Sequence, residues 1–302
     1  MQYNKPALTT QNILDLLVSR WLYFEDIEWS RKYFDHIWYF RMTGYLKYFQ
    51  DLSTDQFFEW ICFNDVLDLY IFDRKLRLLT LDAIEKIEVS FKANVSNYMC
   101  KKYGVFWYTD RSLFKLATQK DNEIYDRVTW NIQIAVWRSS APFVKEYLHK
   151  YENEHLPSWM LMEELTLWDV SNLYNLLNES DAKEISKVYN TYFVDLRRWM
   201  HLCTTLRNIS AHHWRLRNRK YVTRLRSKDV TFKNRYQFTV SNNNANEVIP
   251  NFFNSSLVLN YLLKKISPDS TWLHRLEELF VLYSNTKIES MWFQANWKES
   301  FG

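Results

Sequence analysis

Glycine is nearly missing from this chain, with three residues in 302, and proline is scarce at five. So few breakers exclude a turn-rich β architecture and favour long helices, whose interiors tolerate neither residue well. Three cysteines, Cys62, Cys100 and Cys203, are odd in number and far apart. They form no CxxC pair and no disulfide framework, which fits a reducing cytosol. No apolar run approaches the ~20 residues that a bilayer span needs, and the polar opening MQYNKPALTT has no cleavable apolar core. The chain therefore reads as cytoplasmic, with no membrane partner. Net charge is only +4, so any nucleic-acid surface must come from locally placed charge. No Gly-rich phosphate loop, Walker pattern or GxSxG elbow occurs, and no cofactor is expected.

What is present is bulky and helical. Aromatic residues make up 18% of the chain, enough to fill a large core without β-sheet. Thr9 is placed to cap a helix over Asn12–Leu22, and Asp26 another. Gly44 suggests a break or a close approach of two backbones. Ser53-Thr54-Asp55-Gln56 has capping-box spacing and predicts a short helix through Cys62. From Asp65, the residues Leu69, Phe72, Leu76, Leu79, Ala83, Ile87, Phe91 and Val95 step by three or four, as a buried helical stripe requires. Gly104 ends that helix. Further helices are predicted over 111–118, 120–138, 141–153, 157–178, 181–190, about 193–213, 255–266 and 268–283, the last with Pro268 at its first position. Residues 219–250 lack helical period and predict one irregular or short β excursion. Asp73 and Arg77 sit one turn apart, as helix ion pairs do. Glu163 and Glu164, adjacent on a helix, lean toward opposite faces and read as surface.

The densest chemistry lies in LRNISAHHWRLRNRK, residues 206–220. Arg207 and His212 are five apart, so an ideal helix turns their side chains about 140° from each other. Asn208 and His212 share a stripe. An arginine clamps non-bridging phosphate oxygens, a histidine titrates near neutrality, and Asn208 can orient either one. Arg207 is long enough to curl toward the same cleft, the more so if the helix frays near His212. On spacing alone a plainer reading stays open, in which Arg207 is an exposed helix cation and the histidines suit a helix C-terminus. Metal binding by His201, Cys203, His212 and His213 matches neither a structural zinc spacing nor HExxH, so no metal site is expected. Beyond the motif, Arg215, Arg217, Arg219, Lys220, Arg224, Arg226 and Lys228 place seven cations in fourteen positions without an acid. Trp214 and Tyr221 are interleaved with them, a pattern suited to RNA.

LRNISAHHWRLRN resembles the RN-x-x-A-H-H-x-R-L-x-N signature of the bacterial abortive-infection (Abi) family of AbiD/AbiF type, whose core belongs to the HEPN superfamily. KPALTTQNILDLLVSRWL, HIWYFRMTGYLKYF, LYIFDRKLRLLTLDAIEKIEVSFKANV and LPSWMLMEELTLWDVSNLY resemble further blocks of that family, in order, over residues 5 to about 218. The resemblance implies an all-α, HEPN-like helical bundle with extra helices: residues 1–218 as the Abi core, with its motif helix over about 193–213. The region after Asn218 lies outside the resemblance, and its own pattern reads 219–302 as an irregular basic segment plus C-terminal helices packed on the core. The resemblance also implies metal-independent ribonuclease activity, homodimerisation and a part in anti-phage defence, with Arg207 and His212 on the catalytic positions, Asn208 on the polar position after the arginine, and His213 as an alternative to His212. Trp21 and Trp168 depart from the family pattern, standing where glycine is expected. Trp214 replaces the tyrosine that AMPylated HEPN toxins carry, so silencing by that modification is not expected.

The functional expectation is an endoribonuclease acting as a toxin or effector. Ribose 2′-hydroxyl attack would be assisted by Arg207/His212 pairs at a homodimer cleft, with Arg215, Arg217, Arg219, Lys220, Arg224 and Arg226 holding RNA. The alternatives are a non-catalytic RNA-binding HEPN protein, which senses or is held by a structured RNA, and a helical interaction protein without a nucleic-acid role. A toxic nuclease further implies a restraining partner, either a structured small RNA antitoxin or a protein antitoxin.

Overall fold

The computed structural model describes residues 2, 7–152, 155–221, 225, 240, 241, 244–248 and 251–301. The fold is an all-α helical bundle whose chain divides into two compact units, residues 1–78 with 275–288, and 79–274 with 289–302.

In the first unit, α1 (Thr10–Ser19) starts at a capping box between Thr9 and Asn12. Asp26 caps α2 (Ile27–His36) by accepting from the Trp29 N–H. α3 (Tyr39–Leu46) contains Gly44 in its interior, not at a break. Leu14, Leu17, Met42, Tyr45, Val66 and Leu69 close the core of this unit. The helix expected through Cys62 does not form. The Asp51 carboxylate accepts from the N–H and hydroxyl of Ser53 and makes a turn. The chain then pairs at single points with residues 20–23, Phe57 N–H donating to Arg20 O and Tyr23 N–H to Ile61 O, with a turn at Glu59 and Trp60 between them. The local capping signal loses to these longer-range pairings.

α4 (Phe63–Tyr103) is the expected long helix, and Gly104 terminates it at φ +91°. In the second unit follow α5 (Gln119–Arg138), α6 (Pro142–Lys150), α7 (Ser158–Glu164), α8 (Leu167–Leu176), α9 (Glu179–Lys187) and α10 (Phe193–Ala211). A single 3-10 turn, Arg111–Leu113, occupies the segment expected to be helical over 111–118. The helix expected over 157–178 is two. It stops at Leu165, and Thr166 starts a new one by a capping box with Asp169. α11 (Phe252–Ile266) is buried on every side from Phe252 to Leu263. α12 (Trp272–Leu282) begins four residues after Pro268, not at it. α10 packs on α8, α9 and α11, and α5 packs on α7 and α8. The motif helix is thus inside the bundle: Leu196, Trp199, Met200, Cys203 and Leu206 are fully buried. Most of 219–250 lies outside the described residues; within it a two-residue strand β1 (Val240–Ser241) pairs antiparallel with β2 (Asn244–Val248).

Candidate functional site

α10 carries a buried stripe through Leu206, with Val194 and His201 exposed on its other side. Leu206, Ile209 and Ser210 face inward, while Arg207 is exposed and Asn208 half-buried. The Arg207 guanidinium (Nη1) donates to Asn208 Oδ1 at 3.4 Å.

The helix does not fray at His212. His213 N–H donates to Ser210 O at 3.1 Å and Trp214 N–H to Ile209 O at 2.9 Å. His213 sits in the left-handed region at φ +58°. These features define a Schellman stop, with a histidine where glycine is usual. Both imidazoles are exposed at this terminus, where unsatisfied carbonyls favour cations.

His212 is held from the side. Its ring lies 5.5 Å from that of Trp214, tilted by 33°, and the Arg219 guanidinium sits 5.3 Å over the same indole. Trp214, read in the sequence as a stacking surface for bases, therefore orients His212 and remains half-exposed. This positioning role was missed; the His-x-Trp spacing across a helix end was the available signal.

Arg207 projects elsewhere. It lines two clefts, one of about 510 Å³ toward α4 and α7, the other of about 400 Å³ toward α5 and α8. His212 and His213 line neither. Helical geometry separates the Cα atoms of Arg207 and His212 by about 8–9 Å. One chain brings Arg207 together with Asn208, and His212 together with Trp214 and Arg219.

The larger cleft carries Glu85, Glu88 and Glu163 against Lys92 and Arg207, and Lys92 is paired to Glu88 at 2.7 Å. Its acidic balance disfavours a nucleic-acid backbone. Glu163 and Glu164 line different clefts, one each, with Arg207 lining both.

Of the basic run, Arg215 and Lys220 are exposed and Arg219 is half-buried. Arg217 departs from the surface pattern. It is 2% exposed and its Nη2 donates to Ser290 Oγ at 2.7 Å, so it fastens this segment to the unit. Arg224, Arg226 and Lys228 lie outside the described residues.

The other titratable residues of α10 serve structure. Complete burial pushes the Cys203 thiol up to about 12, which keeps it protonated at neutral pH. Desolvation holds His201 below its ordinary value. Among the described residues no group of three or more His, Cys, Asp or Glu is placed to hold a metal ion. Among them, too, no helix is long and apolar enough to cross a membrane.

A family model described as Abi-like protein matches residues 32–218, more than half of the chain and the whole of α10 with its basic edge. No curated protein and no solved structure matches the chain.

Proposed function

This chain belongs to the Abi-like protein family, and from that premise we propose that it is a HEPN-type endoribonuclease acting as a toxin or effector in abortive infection. The observation that carries the reading is the solvent-facing end of α10. A helix with a fully buried stripe presents Arg207, Asn208, His212 and His213 at the point where the chain turns basic.

The chemistry needs only groups of this chain and its RNA. The ribose 2′-oxygen attacks the adjacent phosphorus, and the bond to the 5′-oxygen breaks. The products are a 2′,3′-cyclic phosphate and a free 5′-hydroxyl. The proton leaves the 2′-hydroxyl and one arrives at the leaving oxygen, with His212 moving protons and Arg207 stabilising the charge that builds on the phosphoryl oxygens. One imidazole does not serve both ends of a concerted step. A homodimer in which a second α10 faces the first would supply the second group, and two-fold pairs are the commonest assembly. Arg215, Arg219 and Lys220, with Arg224 and Arg226 further on, hold the RNA backbone by charge. A structured small RNA or a protein antitoxin restrains the enzyme in its cytoplasmic host.

His212 and His213 line neither of the two clefts that Arg207 lines, which favours one rival, an RNA-binding protein that does not cleave. Arg207→Ala and His212→Ala distinguish the two. Each is expected to lower cleavage by about 10²–10⁴-fold with RNA affinity within a few-fold of the parent. Cleavage unchanged in both variants contradicts the assignment of these residues, and no cleavage by the parent protein on any RNA favours the rival.

A further inference from the structure

The smaller cleft beside Arg207 has a lining that a phosphate site does not explain. One wall is apolar, from Ile134, Ala135 and the half-buried indole of Trp168. The floor is made of acceptors. Asp169 is 4% exposed, and both its carboxylate oxygens are engaged. Oδ2 accepts from the Thr166 hydroxyl at 2.6 Å and its N–H at 3.1 Å, and Oδ1 accepts from Asn131 Nδ2 at 2.7 Å. That last bond fixes the Asn131 amide, because only its NH₂ can donate to a carboxylate. The Asn131 carbonyl oxygen is therefore left as a preset acceptor. Glu164 adds a half-exposed carboxylate with no ion pair among the described residues. Thr204 offers no donor, since its hydroxyl is spent on Met200 O at 2.9 Å. The Asn208 amide NH₂ remains as a donor, its oxygen facing Arg207.

Two carboxylates keep a phosphate out of this space, and Glu164, whose oxygens are not engaged as those of Asp169 are, suits a flat ligand whose edge carries adjacent N–H groups. We infer that the cleft is a guanine-binding subsite, which seats the base of a nucleotide whose phosphate lies at Arg207 on the rim. Guanine presents N1–H and N2–H₂ side by side, the pair that a carboxylate accepts, and its O6 is an acceptor for the Asn208 amide. Adenine and cytosine set a ring-nitrogen acceptor next to their amino group, which would face carboxylate oxygen. Uracil offers a single N–H between two carbonyls. Stacking on Trp168 serves any base, and the acceptor floor selects among them. Trp168 thus has a use for the side chain that stands where the family pattern leads one to expect glycine.

The inference rests on the RNA reading above, and the test keeps the two apart. Short oligo-U chains bearing 2′-O-methyl groups throughout lack the nucleophile and are not cleaved, so their binding is read without catalysis. Fluorescence anisotropy should show the oligomer with one central guanine bound about tenfold more tightly than those with adenine, cytosine or uracil there. Glu164→Gln, near-isosteric at a half-exposed position, should abolish the preference, bringing the guanine oligomer to the affinity of the other three. Trp168→Ala should weaken every oligomer, with thermal melting confirming that both variants fold. Equal affinity for all four bases, a preference that survives Glu164→Gln, or no binding of any oligomer overturns the subsite. Cleavage of all-ribose RNA without guanine preference removes the subsite alone. Guanine preference without any cleavage removes the nuclease and keeps the subsite.

Discussion

His213 illustrates how backbone and chemistry compete at one residue. An L-residue in the left-handed region costs roughly 1–2 kcal/mol relative to its right-handed conformation, less for histidine than for branched residues. The Schellman stop demands that geometry at this position. His213→Gly should therefore leave the melting temperature equal or higher, and His213→Val should lower it, both read by thermal denaturation. The glycine variant also separates the two histidines. If His212 moves the protons, His213→Gly cleaves RNA at close to the parental rate; a folded variant without cleavage would shift that role to His213. The motif residues were readable from their order in the sequence, because arginine, asparagine and histidine chemistry is local. Trp168, Asn131, Glu164 and Asp169 were not, since they meet only after α5, α7 and α8 pack together. Thr166-x-x-Asp169 was the available local signal: a helix restart within what the hydrophobic pattern presents as one continuous helix.

At the scale of elements, the scarcity of glycine has a structural consequence. α1 ends with Trp21 N–H on Val18 O and Leu22 N–H on Leu17 O, again a Schellman stop, and Trp21 occupies the left-handed position at φ +74°. Asn190 does the same after α9 at φ +49°, with its N–H on Lys187 O and Thr191 N–H on Ser186 O. The expectation of glycine at position 21 thus has a physical basis, whereas Trp168 sits within α8 without that geometry. Helix periods predicted α4, α5 and α10 well because their buried stripes are long. Short stretches failed where pairing between segments overrode local propensity, as at residues 53–62. Within α4, the Asp73–Arg77 pair is not a surface ion pair but is buried, with Tyr45 OH donating to Asp73 Oδ2 at 2.7 Å. Burial beside that carboxylate drives the Tyr45 phenol far above its ordinary value. Asp73→Ala strands a buried guanidinium and should cost about 3–5 kcal/mol in urea denaturation. Adding Arg77→Met should recover most of it. An Asp73→Ala variant as stable as the parent would mean that this pair is hydrated.

For the whole molecule, a net charge of +4 gives little general attraction to RNA, so the proposed association should depend on the local cations at Arg215, Arg219 and Lys220 and weaken with salt. The family, the all-α class and the buried motif helix are established by the sequence match and the fold; cleavage is the step that remains to be measured. Mass analysis of RNA fragments released by the purified protein in EDTA tests it most directly. The account predicts chelator-resistant products ending in 2′,3′-cyclic phosphate with 5′-hydroxyl partners. Fragments bearing 5′-phosphate and 3′-hydroxyl ends, or intact RNA after prolonged incubation, would contradict it.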